Sequence, residues 1–261
     1  MVEKVNPAHP DKIADRIAGA VVDYCCTCYK NPDVNVDVIY RGKTYTVIVY
    51  SNVEVTEDVV KNIIHRITGD DVELNFLYNH TKEIKDLECD DSGVFEAFPM
   101  TCEEMEVSDL SRKIFEMIPF DGRYVLDESG NKLVVDQSRM RSNPIKEWLE
   151  YKYPHMDIIV NPCGEWGGEN KSGRSNHRLD SDFGHTLFNK CIHGKDCSKV
   201  RVCVSIYAWL LAQSTGKPQR FKCNMGDTAI DGIPYKEIVE TAREYIDLIG
   251  GYESLATWGL I

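Results

Sequence analysis

The feature that most constrains the fold is a mixture of paired strand patterns and amphipathic helix patterns along one chain of 261 residues. Residues 34–40 and 44–49 alternate around Arg41-Gly42-Lys43, and residues 123–126 and 132–136 flank a second turn. Both arrangements predict hairpins. Apolar residues at helical spacing predict helices over about 10–29, 56–67, 107–117 and 198–213. This mixture favours an α+β fold of pseudo-symmetric β-α-β-β units, with sheets covered by helices on one face.

The rest of the chain gives weaker signals. Short strands are predicted at 72–77, 157–160 and 221–225, with further helices from Asn143-Pro144 and from Pro234 to Ile249 as the last helix. Ser198 is the predicted cap of the helix before Gln213. The stretch 79–101 is predicted to be irregular. No composition shift marks a linker, so we predict one compact chain over 1–261, with sub-units at about 1–100, 101–160 and 161–261.

Composition excludes several classes of protein. The formal net charge of −12 argues against a nucleic-acid binder, which usually has a basic surface. No apolar run approaches the ~20 residues that cross a bilayer, so no membrane association is expected. The first twelve residues are polar and lack the apolar core of a signal peptide, which predicts a cytoplasmic protein. The ten cysteines are then expected to be reduced thiols; zinc binding by Cys25 and Cys28 with Cys89 or Cys102 lacks the paired spacing of known sites.

Two distant segments combine histidine and lysine at predicted helix starts. His9-Pro10-Asp11-Lys12 opens the first helix, and the segment 193–199, His-Gly-Lys-Asp-Cys-Ser-Lys, precedes another. Helix N-termini with cationic side chains are suited to phosphate. Lysine, arginine and histidine are also concentrated between Lys171 and Arg201, which predicts a small polyanionic ligand. A solvated, salt-bridged surface is the alternative explanation.

The same segments resemble a known family. Residues 6–17, Asn-Pro-Ala-His-Pro-Asp-Lys-Ile-Ala-Asp-Arg-Ile, are similar to the EGHPDKIxDQI motif of S-adenosylmethionine synthetases, which are methionine adenosyltransferases. Residues 193–200 resemble their SGKDPSKV motif, and residues 160–166 resemble INPTGRF before a glycine-rich stretch. Asp91-Ser92-Gly93 takes the place of GDQG, and Asp121-Gly122-Arg123 that of DAK or DGK. The chain is therefore identified as a compact, divergent member with the S-adenosylmethionine synthetase-like fold.

The resemblance implies a reaction in two steps. Methionine sulfur attacks C5′ of ATP and displaces tripolyphosphate, which is hydrolysed to phosphate and pyrophosphate before S-adenosylmethionine leaves. Such chemistry depends on positioning and on charge stabilisation at the departing oxygen. Mg²⁺ and K⁺ are the implied cofactors, and ATP and methionine the implied ligands. Family members form dimers with active sites at the interface, so we expect a homodimer or a dimer of dimers.

The resemblance also assigns roles to individual residues. His9, Lys195, Arg178 and Arg123 are the implied catalytic residues. Asp11 is the implied Mg²⁺ ligand, a role that suits a carboxylate, and Asp37 lies at the implied K⁺ site. Glu54 and Lys199 are implied methionine contacts. The implied contacts to ATP and its phosphates are His9, Asp91, Asp121, Arg123, Trp166 (stacked on adenine), His177, Arg178, Lys195, Lys199 and Arg201.

Each residue also has a purely structural interpretation. His9 could only cap its helix, Asp11 could complement the helix dipole, and Asp91 could form a turn. Lys195 and Lys199 could be solvated, and Arg178 could pair with neighbouring aspartates. Surface roles for Arg123 and Asp37, and a core role for Trp166, also remain open.

The chain departs from the family pattern mainly in the part that would bind methionine. The family aspartate after SGKDPSKV is Arg201 here, which removes one expected Mg²⁺ ligand, and a second family aspartate falls at Lys171. The methionine-binding glutamate aligns with Asn52 or Glu54. Arg201 could replace the charge of the metal ion by contacting phosphate directly. Two alternatives to methionine adenosyltransferase follow: an ATP or tripolyphosphate hydrolase, and a catalytically silent nucleotide-binding homologue.

Overall fold

The computed structural model describes residues 1–82, 87–127, 129–168, 172–183 and 191–260. Its helices are α1 (Pro10–Cys28), α2 (Glu57–Thr68), α3 (Cys102–Met117), α4 (Ser142–Lys152), α5 (Leu179–Phe183), α6 (Val200–Thr215), α7 (Tyr235–Ile249) and α8 (Tyr252–Trp258). Its strands are β1 (Val2–Val5), β2 (Val34–Arg41), β3 (Thr44–Ser51), β4 (Glu73–His80), β5 (Gly93–Ala97), β6 (Gly122–Leu126), β7 (Lys132–Gln137), β8 (Asp157–Val160), β9 (Ser172–Arg174), β10 (Gln219–Cys223), β11 (Ala229–Ile230) and β12 (Ile233–Pro234).

Two similar units follow one another in the chain. In the first, α1 precedes the antiparallel hairpin β2–β3, and after α2 the strand β4 pairs in parallel with β3. In the second, α3 precedes the antiparallel hairpin β6–β7, and after α4 the strand β8 pairs in parallel with β7. The predicted α+β class with pseudo-symmetric units is confirmed. The division into three sub-units stays a prediction.

Distant strands complete the sheets. β9 adds to the free edge of β2, giving the order β4-β3-β2-β9, and β1 adds to β6, giving β1-β6-β7-β8. β10 pairs with β5, and β5 lies within the stretch 79–101 that was predicted to be irregular. Both β1 and β5 were missed because each is short and finds its partner more than a hundred residues away, which no local pattern reveals.

Helices cover one face of the first sheet and leave the other open. Alternate residues of β2, among them Val36 and Val38, are buried in the larger core together with Ile17 and Val21 of α1. On the opposite face Ile39, Tyr50 and Leu77 are exposed. We name this exposed surface of β2, β3 and β4 the outer face. Alternation along the strands predicts such a two-sided sheet, whose open side carries these three large apolar side chains among polar residues.

Several helix boundaries differ from prediction because of their caps. The helix predicted from 107 begins at Cys102, where Thr101 and Glu104 form a capping box. Ser198 does not cap α6: the N-cap position is Lys199, and the Asp90 carboxylate accepts the Val200 N–H from a separate loop at 2.8 Å. The helix from Pro234 is followed by α8, and Leu260 after α8 is buried in the larger core.

Within the described ranges no helix is long and apolar enough to cross a membrane.

The C-terminal helix is fixed by a side chain of α1. Asp23 accepts the Tyr252 N–H at 2.7 Å and the Glu253 N–H at 2.9 Å, so it caps α8 from another element. We expect Asp23→Ala to lower the free energy of unfolding by ~1–2 kcal/mol, the range for lost N-caps. Asp23→Asn keeps an acceptor oxygen and should lose less. Urea unfolding checks this; equal stability of the alanine variant and the parent would contradict it.

Candidate active site

The start of α1 gathers the residues of the first motif. His9 is the N-cap of α1, and its Nδ1 accepts the Asp11 N–H at 3.2 Å. Burial lowers the pKa of His9 to about 4, so the ring is neutral at pH 7. A neutral imidazole that accepts at Nδ1 carries its proton on Nε2. His9 therefore caps its helix and still offers one N–H donor, so the capping interpretation and the functional one are compatible.

Asp11 connects α1 to the chain after β9. Its Oδ1 accepts the Arg174 N–H at 3.0 Å, and its Oδ2 lies 3.1 Å from Nδ1 of His177 and 3.2 Å from Nε of Arg178. The close approach of β9 to the start of α1 depends on Gly173, where an added Cβ would lie 2.1 Å from the Pro10 carbonyl oxygen. His177 and Arg178, which the sequence predicted to bind phosphate, thus contact Asp11, the predicted metal ligand.

Glu3 joins two of the predicted arginines. Its carboxylate accepts from Arg178 Nη1 at 3.2 Å and from Arg123 Nη2 at 2.7 Å. Arg178 therefore pairs with Asp11 and Glu3, while Asp182, one of the two neighbouring aspartates of the surface interpretation, pairs with Lys12 and His193. We name Glu3, His9, Asp11, Arg123, His177 and Arg178 together the α1 cluster.

Acidic groups of the second sheet lie beside the α1 cluster. Burial, together with the charges of Asp136 and Asp11, raises the pKa of Asp121 to about 7. The indole N–H of half-buried Trp166 donates to Asp136 at 3.1 Å. A cavity of about 370 Å³ borders Asp121, Pro10 and the stacked rings of Tyr40 and Tyr45. Burial is the main cause of this shift, and the charges of Asp136 and Asp11 add to it.

The second motif lines a separate pocket of about 260 Å³ before α6. Lys199 forms an ion pair with Asp33 and lies 3.7 Å from Asp90. Arg201 contacts Asp91 Oδ2 through Nε at 2.8 Å and Nη2 at 2.6 Å, which holds the pKa of Asp91 below its usual range. Lys195 pairs through its backbone with Asn35 of β2. The residues that line this α6 pocket are Asp33, Asn35, Tyr50, Thr81, Asp90, Asp91, Lys195, Lys199 and Arg201.

His193 does not join this pocket, contrary to the interpretation of its motif as a cation cluster. It is buried, and its Nε2 lies 2.6 Å from Asp182, which also pairs with buried Lys12. Asp15 completes the group, with its Oδ1 accepting the Asn176 N–H at 2.6 Å. Ligand atoms of Asp15, Asp182 and His193 lie within 4.8 Å of one another. Lys12 already supplies positive charge there, so the group forms an internal ion network.

The structure does not bring the two cation clusters together in one chain. Asn35 lines the α6 pocket, whereas Ile39 pairs with Arg174, whose N–H donates to Asp11. Asn35 and Ile39 are four positions apart in the strand, about 13 Å along β2. The clusters therefore lie towards opposite ends of this strand.

Apart from Asp121 and Trp166, which lie beside the α1 cluster, two predicted residues lie outside both the α1 cluster and the α6 pocket. Glu54 is exposed between β3 and α2, and Asp37 is exposed on the outer face opposite Ile48. Their assigned roles stay predictions, and Lys171 lies outside the described residues. Sequence reasoning missed the acidic partners Glu3, Asp33, Asp90 and Asp136. The excess of acidic residues was the available signal, but it does not say which of them face cations.

Comparisons with known proteins identify a similar fold and a matching N-terminal domain. The whole chain matches the structure of an unusual S-adenosylmethionine synthetase from Campylobacter jejuni, with a TM-score of 0.78 and 15% identity over 94% of that chain. The architecture is therefore that of an S-adenosylmethionine synthetase. Residues 1–90 match the family model of the S-adenosylmethionine synthetase N-terminal domain. The matched domain, which spans about a third of the chain, and the fold both support the resemblance to S-adenosylmethionine synthetases that the motifs indicate. No curated protein gave a significant match.

Gly194 sets the position of the α6 pocket against β2. Its φ is +77°, its carbonyl accepts the Val36 N–H at 2.7 Å, and an added Cβ would lie 2.2 Å from the Val36 carbonyl oxygen. We expect Gly194→Ala to lower the free energy of unfolding by about 3 kcal/mol or more, from left-handed strain and a backbone clash.

Gly42→Ala is the matched control. Gly42 has a φ of +63° and nothing within 4 Å of an added Cβ, so only the strain of ~1–2 kcal/mol applies. Thermal and urea unfolding of both variants measure the difference. Equal losses would show that the close approach to β2 has no energetic importance.

Proposed function

We propose that this protein is a methionine adenosyltransferase that forms S-adenosylmethionine from ATP and methionine and releases phosphate and pyrophosphate. The observation that carries the proposal is the α1 cluster. Two histidines, two arginines and two carboxylates from four separate segments meet at the start of one helix. Such convergence of long-range partners is unexpected for solvated surface charges.

The tautomer of His9 suits the departing oxygen of the triphosphate. Its Nε2–H is a neutral donor, and a positioned donor of this kind stabilises charge that develops in a transition state. Because burial lowers the pKa of His9 to about 4, the donor persists across neutral pH. Arg178 and Arg123 provide planar guanidinium groups that match phosphate oxygens. Trp166, held by Asp136, offers an aromatic face for adenine.

The donor set of the α1 cluster fits Mg²⁺. Asp11 and Glu3 supply hard oxygen donors, and half-buried Asp121 beside Asp11 forms no ion pair with a lysine or an arginine among the described residues, unlike the carboxylates of the α6 pocket. Asp11 would hold the ion, which would neutralise charge on phosphate oxygens. Asp37 fits K⁺ poorly within one chain because it is a single exposed carboxylate opposite apolar Ile48.

A second copy of the chain would complete the site. The outer face exposes Ile39, Tyr50 and Leu77, and Tyr50 also lines the α6 pocket. Two copies packed through this face, about a two-fold axis perpendicular to β2, would place the α1 cluster of one beside the α6 pocket of the other. Lys195 and Lys199 would then reach the ligand that His9 and Arg178 hold. We therefore propose a homodimer with shared active sites, in a cytoplasmic protein.

Incubation of the purified protein with ATP, methionine, Mg²⁺ and K⁺ tests the activity by mass spectrometry. We expect S-adenosylmethionine with phosphate and pyrophosphate, and loss of at least about 100-fold in kcat for His9→Ala, as for a removed transition-state donor. A parallel sample lacks methionine. ATP breakdown there without an adenosylated product would identify a hydrolase, and binding without turnover would identify a silent homologue.

Complementation tests the shared site separately. Arg178→Gln disables the α1 cluster and Lys195→Gln disables the α6 pocket, so each variant alone should be inactive. Mixed after unfolding and refolding together, they should regain about one quarter of parental activity, because half the dimers are mixed and each has one intact site. A double variant refolded with the parent chain controls for refolding losses. No recovery in the presence of mixed dimers would contradict a site shared between copies.

A further inference from the structure

We propose that Asp91 is the internal counter-ion of Arg201 in an anion site. The α6 pocket would bind the polyphosphate end of its ligand directly, without a metal ion, once Arg201 exchanges the Asp91 carboxylate for phosphate oxygens. The inference rests on the proposed function in taking the triphosphate of ATP as that ligand. It is an exchange of ionic partners, in which no covalent bond forms or breaks.

The geometry of the contact between Arg201 and Asp91 allows Arg201 to leave the carboxylate for another anion. Both guanidinium nitrogens contact a single oxygen, Oδ2, while Oδ1 accepts the Ser92 N–H at 2.8 Å. If Arg201 leaves, Asp91 keeps its backbone partner, and Oδ2 turns to water because 37% of the side chain is exposed. The pair is therefore a partly exposed contact whose separation costs little.

The other carboxylates of the pocket are held more firmly. Asp90 caps α6 through the Val200 N–H and faces Lys199, and Asp33 pairs with Lys199. Lys195 lies in the same pocket and has no ion pair with a carboxylate among residues 1–82, 87–127, 129–168, 172–183 and 191–260. Lys195 and Arg201 are thus the two cations that an incoming anion can use.

The donor set does not suit a divalent cation. Asp33, Asp90 and Asp91 each already face a lysine or an arginine, so an ion would have to displace these partners while three cationic side chains repel it. A guanidinium fork matches two phosphate oxygens, which makes direct binding the better use of Arg201. The volume of about 260 Å³ is below the range of whole-ligand pockets and suits the anionic end of a larger molecule.

Calorimetric titration with tripolyphosphate in EDTA, without ATP or methionine, tests the proposal. Parent protein should bind, and Asp91→Asn should bind about three- to fivefold more tightly because the competing carboxylate is gone. Arg201→Gln should bind at least about tenfold more weakly, and Arg201→Lys, which keeps the charge without the fork, should lie between. Thermal unfolding of each variant confirms that it is folded.

Asp109→Asn is the matched control, since it removes the same charge from an exposed position on α3 next to Lys113. It should leave the affinity for tripolyphosphate unchanged. Binding that appears only with Mg²⁺, or equal effects of the two asparagine variants, would overturn the proposal. A second titration, with ATP, distinguishes the two sources of the phosphate. If the variants change the affinity for ATP in the same way as that for tripolyphosphate, the pocket binds the nucleotide. If they change only the affinity for tripolyphosphate, the pocket binds the free anion. Because no turnover is measured, failure to form S-adenosylmethionine would leave this result intact.

Discussion

The buried ion pair between Lys12 and Asp182 is the contact on which both candidate clusters depend. Both side chains are fully buried, and Asp182 also pairs with His193, while its backbone carbonyl accepts the Leu260 N–H at 3.0 Å. Removing two charges from water costs several kcal/mol per ion, so the pair persists only where hydrogen bonds satisfy it from all sides. The network therefore ties α1, α5, the segment before α6 and the C-terminus into one arrangement.

The position of this network explains the placement of the functional side chains. Lys12 directly follows Asp11, Arg178 lies one helical turn before Asp182, and His193 lies two residues before Lys195. The buried positions of Lys12, Asp182 and His193 thus fix the direction of their neighbours. These neighbours are Asp11, Arg178 and Lys195. Gly173 and Gly194 allow the neighbouring backbone to approach Pro10 and Val36 at the two ends of β2. The buried ion network and the two glycines, which have no side chain to block these close contacts, together determine the direction of the cationic side chains.

The sequence predicted the elements whose signals are local. Alternation predicted both hairpins, helical spacing predicted α1 and α2, and motif similarity predicted that His9, Asp11 and Arg178 belong together. It could not predict the acidic partners, because Glu3 and Arg123 are 120 residues apart. It could not predict the pairing of β5 with β10 either, because the paired residues are more than 120 positions apart. Lys12 and His193 were misjudged for the same reason: their charges suggested solvent or phosphate, while the folded chain buries both against one carboxylate.

Each half of the site neutralises itself in the isolated chain. Glu3 and Asp11 face the arginines of the α1 cluster, and Asp33, Asp90 and Asp91 face the cations of the α6 pocket. Neither half then presents a strongly positive surface, which is consistent with a net charge of −12. A polyphosphate must compete with these carboxylates, and competition is more favourable when several cations act on the same anion at once. This charge arrangement is therefore consistent with the proposed shared site, in which cations of two copies would act on one anion and replace its competing carboxylates together.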